Sequence, residues 1–553
     1  MQIRRLIIRR YRGLREFTWL PSQSVNCLIG SGDAGKSTVL AAIALLLAPY
    51  PVPAASEFDY FERSVADGFE IEACLAIPEN ILATERVTPP LWGWGNGRRF
   101  ELPEDGTEAV LVPKVRGTPD LEIVHEMAAP ASDPMPFPVG LRKKLLLARL
   151  AGEDRAMRDL RVTPGSMLDR FLGRTELRGT LAGAIAAASR ELDLPPEIVT
   201  SVRRLAEVFD QAGLPADLHL GLAALPGISL PALVTLLEGQ DAATAIPLAF
   251  AGAGTRQLAL LELSAALAGT DAVVVVDEPE RGLEPYRQRI AAQRIIEVAG
   301  AAGQAFLTTH APAVLESMPA GSVWRMRHGQ GPVQLTGEAI SHLLRRDPAA
   351  FFAPFPLVCE GETEVGFNSV FLADRLAAPL DNLGIHLIDA TGQRPALDIL
   401  DAFSAASICC GGFLDNEAEF SGRRTRIAGA TVTFVWANVR NIEEAVASGL
   451  PAGNLPFVAE WAAEAAGSES RYFAVQVRDR IPGATANDVK TLVAVHGEAT
   501  VRTALAEAMC RNRWFKRRRA GQVLAHQLLR LGMPPDMEAQ LAPFVQRLRE
   551  ALR

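Results

Sequence analysis

Short apolar runs bounded by glycine and proline alternate with stretches of helical periodicity along this chain. Runs at Leu6–Ile8, Val25–Ile29, Phe69–Ala76 and Ala109–Val115 predict strands, and Thr38–Ala48 predicts a helix directly after the second. From 137 to 242 the pattern turns alanine- and leucine-rich and predicts short helices. Breaks fall at Pro164-Gly165, Pro195-Pro196, Pro215 and Pro226-Gly227, because an interior proline removes a donor and clashes with the preceding turn. Strand character returns at Val273–Val276 and Ala305–Thr308, behind a helix over Arg256–Leu267. A second strand–helix series runs through Leu357–Cys359, Ile385–Asp389, Ile408–Leu414 and Val432–Trp436, and the remainder reads as helices. Such alternation predicts an α/β chain with four parts: 1–136, 137–242 (a helical insert), 243–350 and 351–553.

At 553 residues the chain exceeds what one core supports, and its 48% hydrophobic content is ordinary for a globular protein. The longest apolar run, Val39 to Ala55, is broken by Pro49, Pro51 and Pro53, and the start of the chain is too arginine-rich for a secretory leader. No membrane partner is expected. Six scattered cysteines without a C-x-x-C pair argue against a zinc ribbon and predict buried thiols in a reducing cytoplasm. The net charge of −8 conceals two basic clusters, Arg4–Arg15 and Arg511–Arg519, either of which could track phosphates or serve as a solvated face.

Gly30-Ser31-Gly32-Asp33-Ala34-Gly35-Lys36-Ser37-Thr38 fits G-x-x-x-x-G-K-[ST] between a predicted strand and helix. The glycines let backbone N–H groups curl around polyphosphate, Lys36 can reach the β- and γ-phosphates, and Ser37 can ligate Mg²⁺. Val273–Val276 ends in Asp277-Glu278, which suits Asp277 to the nucleotide's Mg²⁺ and Glu278 to polarising a water. Thr308-Thr309-His310 ends the next strand, where His310 could face the γ-phosphate or simply close the strand. With Gly252, Gly254 and Thr255 opening the helix ahead of Asp277, the order resembles ABC-type ATPases. In that class two heads sandwich ATP, which implies a homo-oligomer. The usual signature serine is replaced by alanine, so Thr255 or backbone N–H groups would serve.

In the last part, Glu360-Gly361-Glu362-Thr363-Glu364 and Asp415-Asn416-Glu417 place acids at two predicted strand ends. Neighbouring carboxylates repel unless a cation lies between them, and oxygen donors suit Mg²⁺ or Mn²⁺ rather than zinc. Glu360-Gly361 and Asp415-x-Glu417, with Gly384–Gly392 between them, resemble the two acidic motifs of the TOPRIM fold. An ABC-type head with a helical insert followed by TOPRIM and C-terminal helices resembles the OLD (overcoming lysogenisation defect) family of ATP-dependent endonucleases, including the nuclease subunits of Gabija-type antiphage systems. Arg10-Tyr11-Arg12-Gly13-Leu14, the junction Asp347–Glu360 and Trp514-Phe515-Lys516 extend the likeness over nearly the whole chain.

The resemblance implies ATP and Mg²⁺ (or Mn²⁺) as cofactors, DNA as substrate and a possible partner protein. It makes Glu360, Glu364, Asp415 and Glu417 metal ligands, with Glu364 also a base. Glu443 would supply a further carboxylate, and Lys516 would stabilise charge on the scissile phosphate. Rival readings are an SMC- or RecF-like repair ATPase and a nucleotide-sensing scaffold, each without nuclease activity. Primase is disfavoured by the missing cysteine set, and topoisomerase by the lack of a candidate tyrosine.

Overall fold

The computed structural model describes residues 1–49, 54–82, 89–104, 106–130, 132–145, 147–150, 158–163, 166–172, 194–222, 234–239, 244–268, 272–300, 303–327, 330–428, 432–437, 439 and 441–552. The chain divides into two compact units, Met1–Leu335 and Thr336–Arg553, so the boundary lies at 335/336 where 350/351 was expected.

The first unit centres on β1 (Val25–Ile29), α1 (Lys36–Leu46), β2 (Leu147–Leu150), α2 (Ala253–Ala268), β3 (Val273–Asp277), β4 (Gln304–Thr308), β5 (Val323–Arg327) and β6 (Gln330–Gln334). Their sheet has the order β2-β3-β4-β1-β5-β6, parallel except for the β5–β6 pair. β1 and β4 are buried throughout, as strands covered on both faces must be, which is why they read as unbroken apolar runs. A second, antiparallel sheet includes Gln2–Tyr11, Leu14–Trp19 and Phe69–Ala76. α1 packs against strands of both sheets, and Val39, Leu40, Ala42, Ile43 and Leu46 all enter one core. Between the sheets, buried Gln304 accepts from the Ile3 N–H at 2.7 Å and donates to the Ser22 carbonyl at 2.7 Å.

Several expectations need correction. Ala109–Val115 is two strands, Glu108–Leu111 and Pro113–Gly117, pairing with different parts of Phe69–Ala76. The 137–242 stretch is not purely helical. It contains helix Pro196–Gln211 but also strands Leu218–Leu222 and Val234–Glu238, and β2 joins the main sheet. Leu218-x-Leu220-x-Leu222 alternates with the strand period, while the four residues of β2 are too few for periodicity to decide. Pro164-Gly165 and Pro226-Gly227 lie outside the described residues. Three of the six N-terminal arginines pair with acids: Arg4 with Glu108 (2.6 Å), Arg12 with Asp59 (3.0 Å) and Arg9 with Glu70. Cys409 is exposed, against the expectation of buried thiols. Among the described residues no helix is long and apolar enough to cross a membrane.

The second unit opens with α4 after α3 (Pro285–Ala299) of the first; α4 spans Glu338–Arg346. It continues through β7 (Phe355–Cys359), α5 (Glu362–Leu376), β8 (Ile385–Asp389), α6 (Gln393–Ala405), β9 (Gly411–Leu414), β10 (Val432–Val435) and α7 (Ile442–Gly449). The strands form an all-parallel sheet of order β8-β7-β9-β10. Helices from Leu455–Ala466 onward complete the core, and one of them, α8 (Arg518–Leu531), crosses α5 at two glycines. A Cβ at Gly366 would lie 2.0 Å from the Arg518 carbonyl oxygen, and one at Gly521 would lie 2.2 Å from that of Thr363. Only hydrogen in place of a side chain permits this approach.

Candidate functional sites

In the first unit the loop after β1 turns on Gly30 (φ 150°), Asp33 (φ 57°) and Gly35 (φ 89°), then delivers Lys36 as the first residue of α1. Lys36 Nζ donates to the carbonyls of Gly30 (2.9 Å) and Ser31 (2.8 Å), so the loop wraps its own ammonium. Burial lowers the Lys36 pKa and the Arg325 guanidinium lowers it further, against the opposing pull of Glu278, Asp277 and Asp33. No side chain caps α1, so Ala34–Thr38 present backbone N–H groups at a helix start free of acids.

β4 lies between β1 and β3, and the C-terminal ends of these strands converge. Ser37 Oγ donates to Asp277 Oδ1 at 3.1 Å, and Thr308 Oγ1 donates to the same oxygen at 2.5 Å. The two residues expected to share the nucleotide's Mg²⁺ are therefore in contact. Their oxygens suit that ion, with Ser37 and Asp277 as the groups to hold it. Glu278 follows in a left-handed conformation (φ 52°), uncommon for a non-glycine residue, and its carboxylate accepts from Arg281 Nε at 2.7 Å. His310 is exposed, and its backbone N–H donates to Glu280 at 2.7 Å, while Thr309 Oγ1 donates to the same carboxylate at 3.0 Å.

Glu280, Arg281, Thr308 and Arg325 were missed from sequence. An acid in the same turn as Asp277-Glu278, facing a Thr-Thr-His strand end, was the available signal for Glu280. Gly254 is buried at the start of α2, where a Cβ would lie 2.5 Å from the Gly282 carbonyl oxygen. Its glycine is thus required by packing, whereas Gly252 is exposed and Thr255 half-buried.

In the second unit, β7 and β9 end in acids that meet. The Asp415 N–H donates to Glu360 Oε2 at 3.1 Å. Glu364, in the first turn of α5, is buried, and its pKa is raised to about 7 by burial, with Glu443 and Glu360 adding to the rise and Lys516 opposing it. Asp415 is pushed well above the usual carboxylate range by burial and then by Glu364, Glu360 and Glu443. Lys516 Nζ stands 3.4 Å from the fully buried Glu443 Oε1, and the surrounding acids hold its pKa above normal despite burial. Thr363 Oγ1 donates to the Phe515 carbonyl at 2.7 Å, fixing the lysine's segment against α5.

Five expected residues thus act on one another: Glu360, Glu364, Asp415, Glu443 and Lys516. Glu417 does not join them; it is exposed and precedes a short turn at Ala418–Phe420. Glu364 Oε1 and Glu443 Oε2 are buried without a hydrogen-bond donor, and Glu443 Oε1 has the Lys516 ammonium at 3.4 Å. Such oxygens fit a hard divalent cation by donor type. Among the described residues, however, no three His, Cys, Asp or Glu side chains are already grouped to hold a metal ion.

Part of the first unit is similar to a known family. Residues 132–316 match the family "AAA domain, putative AbiEii toxin, Type IV TA system". That stretch is similar to an ATPase domain. It includes Asp277, Glu278 and His310, and the P-loop precedes it. No curated protein matches. Similar solved structures include an Smc head bound to the C-winged helix domain of ScpA, at 13% identity, TM-score 0.41, covering 61% of this chain and 98% of that one. A Pyrococcus furiosus Smc head with an extended coiled coil bound to the ScpA C-terminal domain gives 12% identity, TM-score 0.38, and covers 62% and 98%. The Thermotoga maritima SMC head gives 12% identity, TM-score 0.30, and covers 61% and 100%.

Proposed function

We propose that this chain is an ATP-binding, divalent-metal-dependent DNA endonuclease, with an ABC-type ATPase in its first unit and a TOPRIM-like nuclease centre of the OLD family type in its second. The observation that carries the reading is the mutual approach of Glu360, Glu364, Asp415, Glu443 and Lys516 beside the C-terminal ends of two parallel strands. Like charges held together in low dielectric are a costly arrangement for a purely structural role. Mg²⁺ or Mn²⁺ bound there supplies Lewis-acid activation and charge neutralisation. Glu360, Asp415 and Glu364 are the residues to hold it. Glu364, with a pKa near 7, can exchange a proton with water close to neutrality. Lys516, kept charged by Glu443, can face a phosphate oxygen.

In the first unit, Lys36, Ser37 and Asp277 bind nucleotide and Mg²⁺, and Glu278 orients water once released from Arg281. A second copy would bring Gly252, Gly254 and Thr255 of its own α2 to that nucleotide. Nucleotide would govern oligomer shape or access to DNA, in antiphage defence or DNA processing, with a partner protein possible. The test is nicking of supercoiled plasmid with Mg²⁺ or Mn²⁺, with and without ATP, in wild type and Asp415→Asn. Nicking lost in the variant supports the reading. No nicking by the wild type, with ATP hydrolysis intact, leaves an SMC- or RecF-like ATPase or a nucleotide-sensing scaffold.

A further inference from the structure

The second unit carries a cavity that the acidic centre does not use. It lies between α4, the loop after β8 and the first turns of α6, with a volume of about 470 Å³. His342, Arg346, Thr391 and Arg394 line it, together with Glu338 and Asp398. Asp398 is already engaged by Arg423 at 2.6 Å, and Arg346 meets Asp389 only loosely at 3.9 Å. Two arginines and a histidine therefore line a recess whose acids, apart from Glu338, are Arg423-bound Asp398 and the loosely placed Asp389.

The neighbouring backbone ties this recess to the acids. Gly392 N–H donates to the Glu360 carbonyl at 2.7 Å, and Gln393 Nε2 donates to the Asp415 carbonyl at 2.6 Å. Arg394 is the next residue. Where α8 begins, against the first turn of α5, stand Lys516, 3.4 Å from Glu443, and the exposed Arg517, Arg518 and Arg519, with the Arg518 N–H donating to Glu362 Oε2 at 3.3 Å. Cations thus border the acids at two places, the start of α6 and the start of α8. A polyanion with several charges can reach both places, whereas a single small anion can reach only one.

We infer that Arg346 and Arg394 form a backbone-phosphate subsite that holds the nucleic-acid strand on the β8 side of the acidic centre. The assignment rests on the proposed nuclease reading and adds where the strand leaves the centre. Phosphate contacts of this kind fix register without reading sequence, so the subsite binds DNA irrespective of base composition.

The test is fluorescence anisotropy of a labelled DNA duplex with the full chain in EDTA, over a salt series. Arg346→Gln/Arg394→Gln is compared with a charge-matched control, Arg345→Gln/Arg530→Gln, whose exposed residues lie outside the cavity. The subsite pair should lose about tenfold in affinity near physiological salt, and the slope of log K against log salt should fall by roughly one to two. Thermal midpoints should stay together, since the Arg346–Asp389 pair is long and exposed. Equal affinities and slopes in the two pairs, or no DNA binding by wild type, overturn the subsite. Selective loss of binding in a wild-type background that never nicks plasmid would keep the subsite and sink the nuclease reading.

Discussion

Both units place chemistry where a parallel strand runs through a glycine into a helix start, yet they set opposite charges there. In the first, α1 follows Gly35 with no side-chain cap and no acid in its first turn, leaving backbone donors and Lys36 for an anion. In the second, α5 follows Gly361, also uncapped by a side chain, but Glu362 and Glu364 occupy its first turn. The helix dipole alone would favour those carboxylates as anions, but burial and neighbouring acids win, and Glu364 is raised to about 7. The sign of a strand–helix site therefore comes from its first-turn side chains and their burial, not from the shared topology.

The largest expected effects separate the two sites chemically. Asp415→Asn should lower plasmid nicking at least ~10³-fold while leaving ATP hydrolysis within about twofold of wild type. Lys36→Ala should weaken ATP binding by about 10²-fold, read with a fluorescent nucleotide, without removing ATP-independent nicking. A variant of one site that abolishes both activities would break the comparison.

The sequence exposed these two sites unequally. The P-loop is contiguous, so Gly30 to Thr38 could be placed from one run, and strand Val25–Ile29 has the bounds its apolar run predicts. The acidic centre assembles residues from four segments. Glu360 and Asp415 were legible as acids at strand ends, whereas Glu443 and Lys516 came only with the family resemblance. Glu417 shows the weakness of spacing alone: two residues beyond Asp415 the chain has turned outward. Glu280 and the Arg346–Arg394 recess depend on which loops meet across parallel strands, and no local periodicity records that. The strands within 137–242 were hidden by alanine and leucine, which are equally at home in helices.

Packing gives the next effect in size and tests whether each unit's glycines are structural. Gly366→Ala, forcing a Cβ to 2.0 Å from a carbonyl oxygen, should destabilise the second unit by about 3 kcal/mol. Gly254→Ala, at 2.5 Å, should cost the first unit roughly 1–3 kcal/mol. Gly422→Ala, with nothing within 4 Å and a helical backbone, should be neutral or stabilising by up to ~1 kcal/mol. Denaturant midpoints check all three. A harmless Gly366→Ala would mean that α5 and α8 can separate.

Acid sharpens the contrast, because buried groups of opposite type respond with opposite sign. His125 Nε2 donates to the Leu45 carbonyl (3.0 Å), and burial lowers its pKa from 6.5 to about 4. The unfolded chain then binds the extra proton, so this contribution is complete above pH 6.5 and is lost as pH falls toward 4. The loss should reach about 2–3 kcal/mol, and His125→Gln should flatten it. Glu364 runs the other way: with its pKa raised from 4.5 to about 7, its contribution is complete below pH 4.5 and declines as pH rises through 7. In metal-free protein, Glu364→Gln should remove that decline. Calorimetric transitions followed from pH 4.5 to 8 read both, and parallel shifts would contradict the opposed signs.

The smallest effect concerns how the acidic centre is held. α7 carries Glu443, and Asn441 caps its start by accepting from the Glu444 N–H at 3.0 Å. Asn441→Ala leaves that donor to water and should cost about 1 kcal/mol. The same loss frees the first turn of α7, so Glu443 would hold Lys516 less firmly and nicking should fall more than global stability does. α1 has no equivalent side-chain cap because its N–H groups serve phosphate. The helix start that supplies a carboxylate is closed by its own chain, and the one that receives an anion is left open. If Asn441→Ala lowers the denaturant midpoint while nicking stays unchanged, the cap supports the fold alone, and the firmness of the Glu443–Lys516 pair has no part in the chemistry.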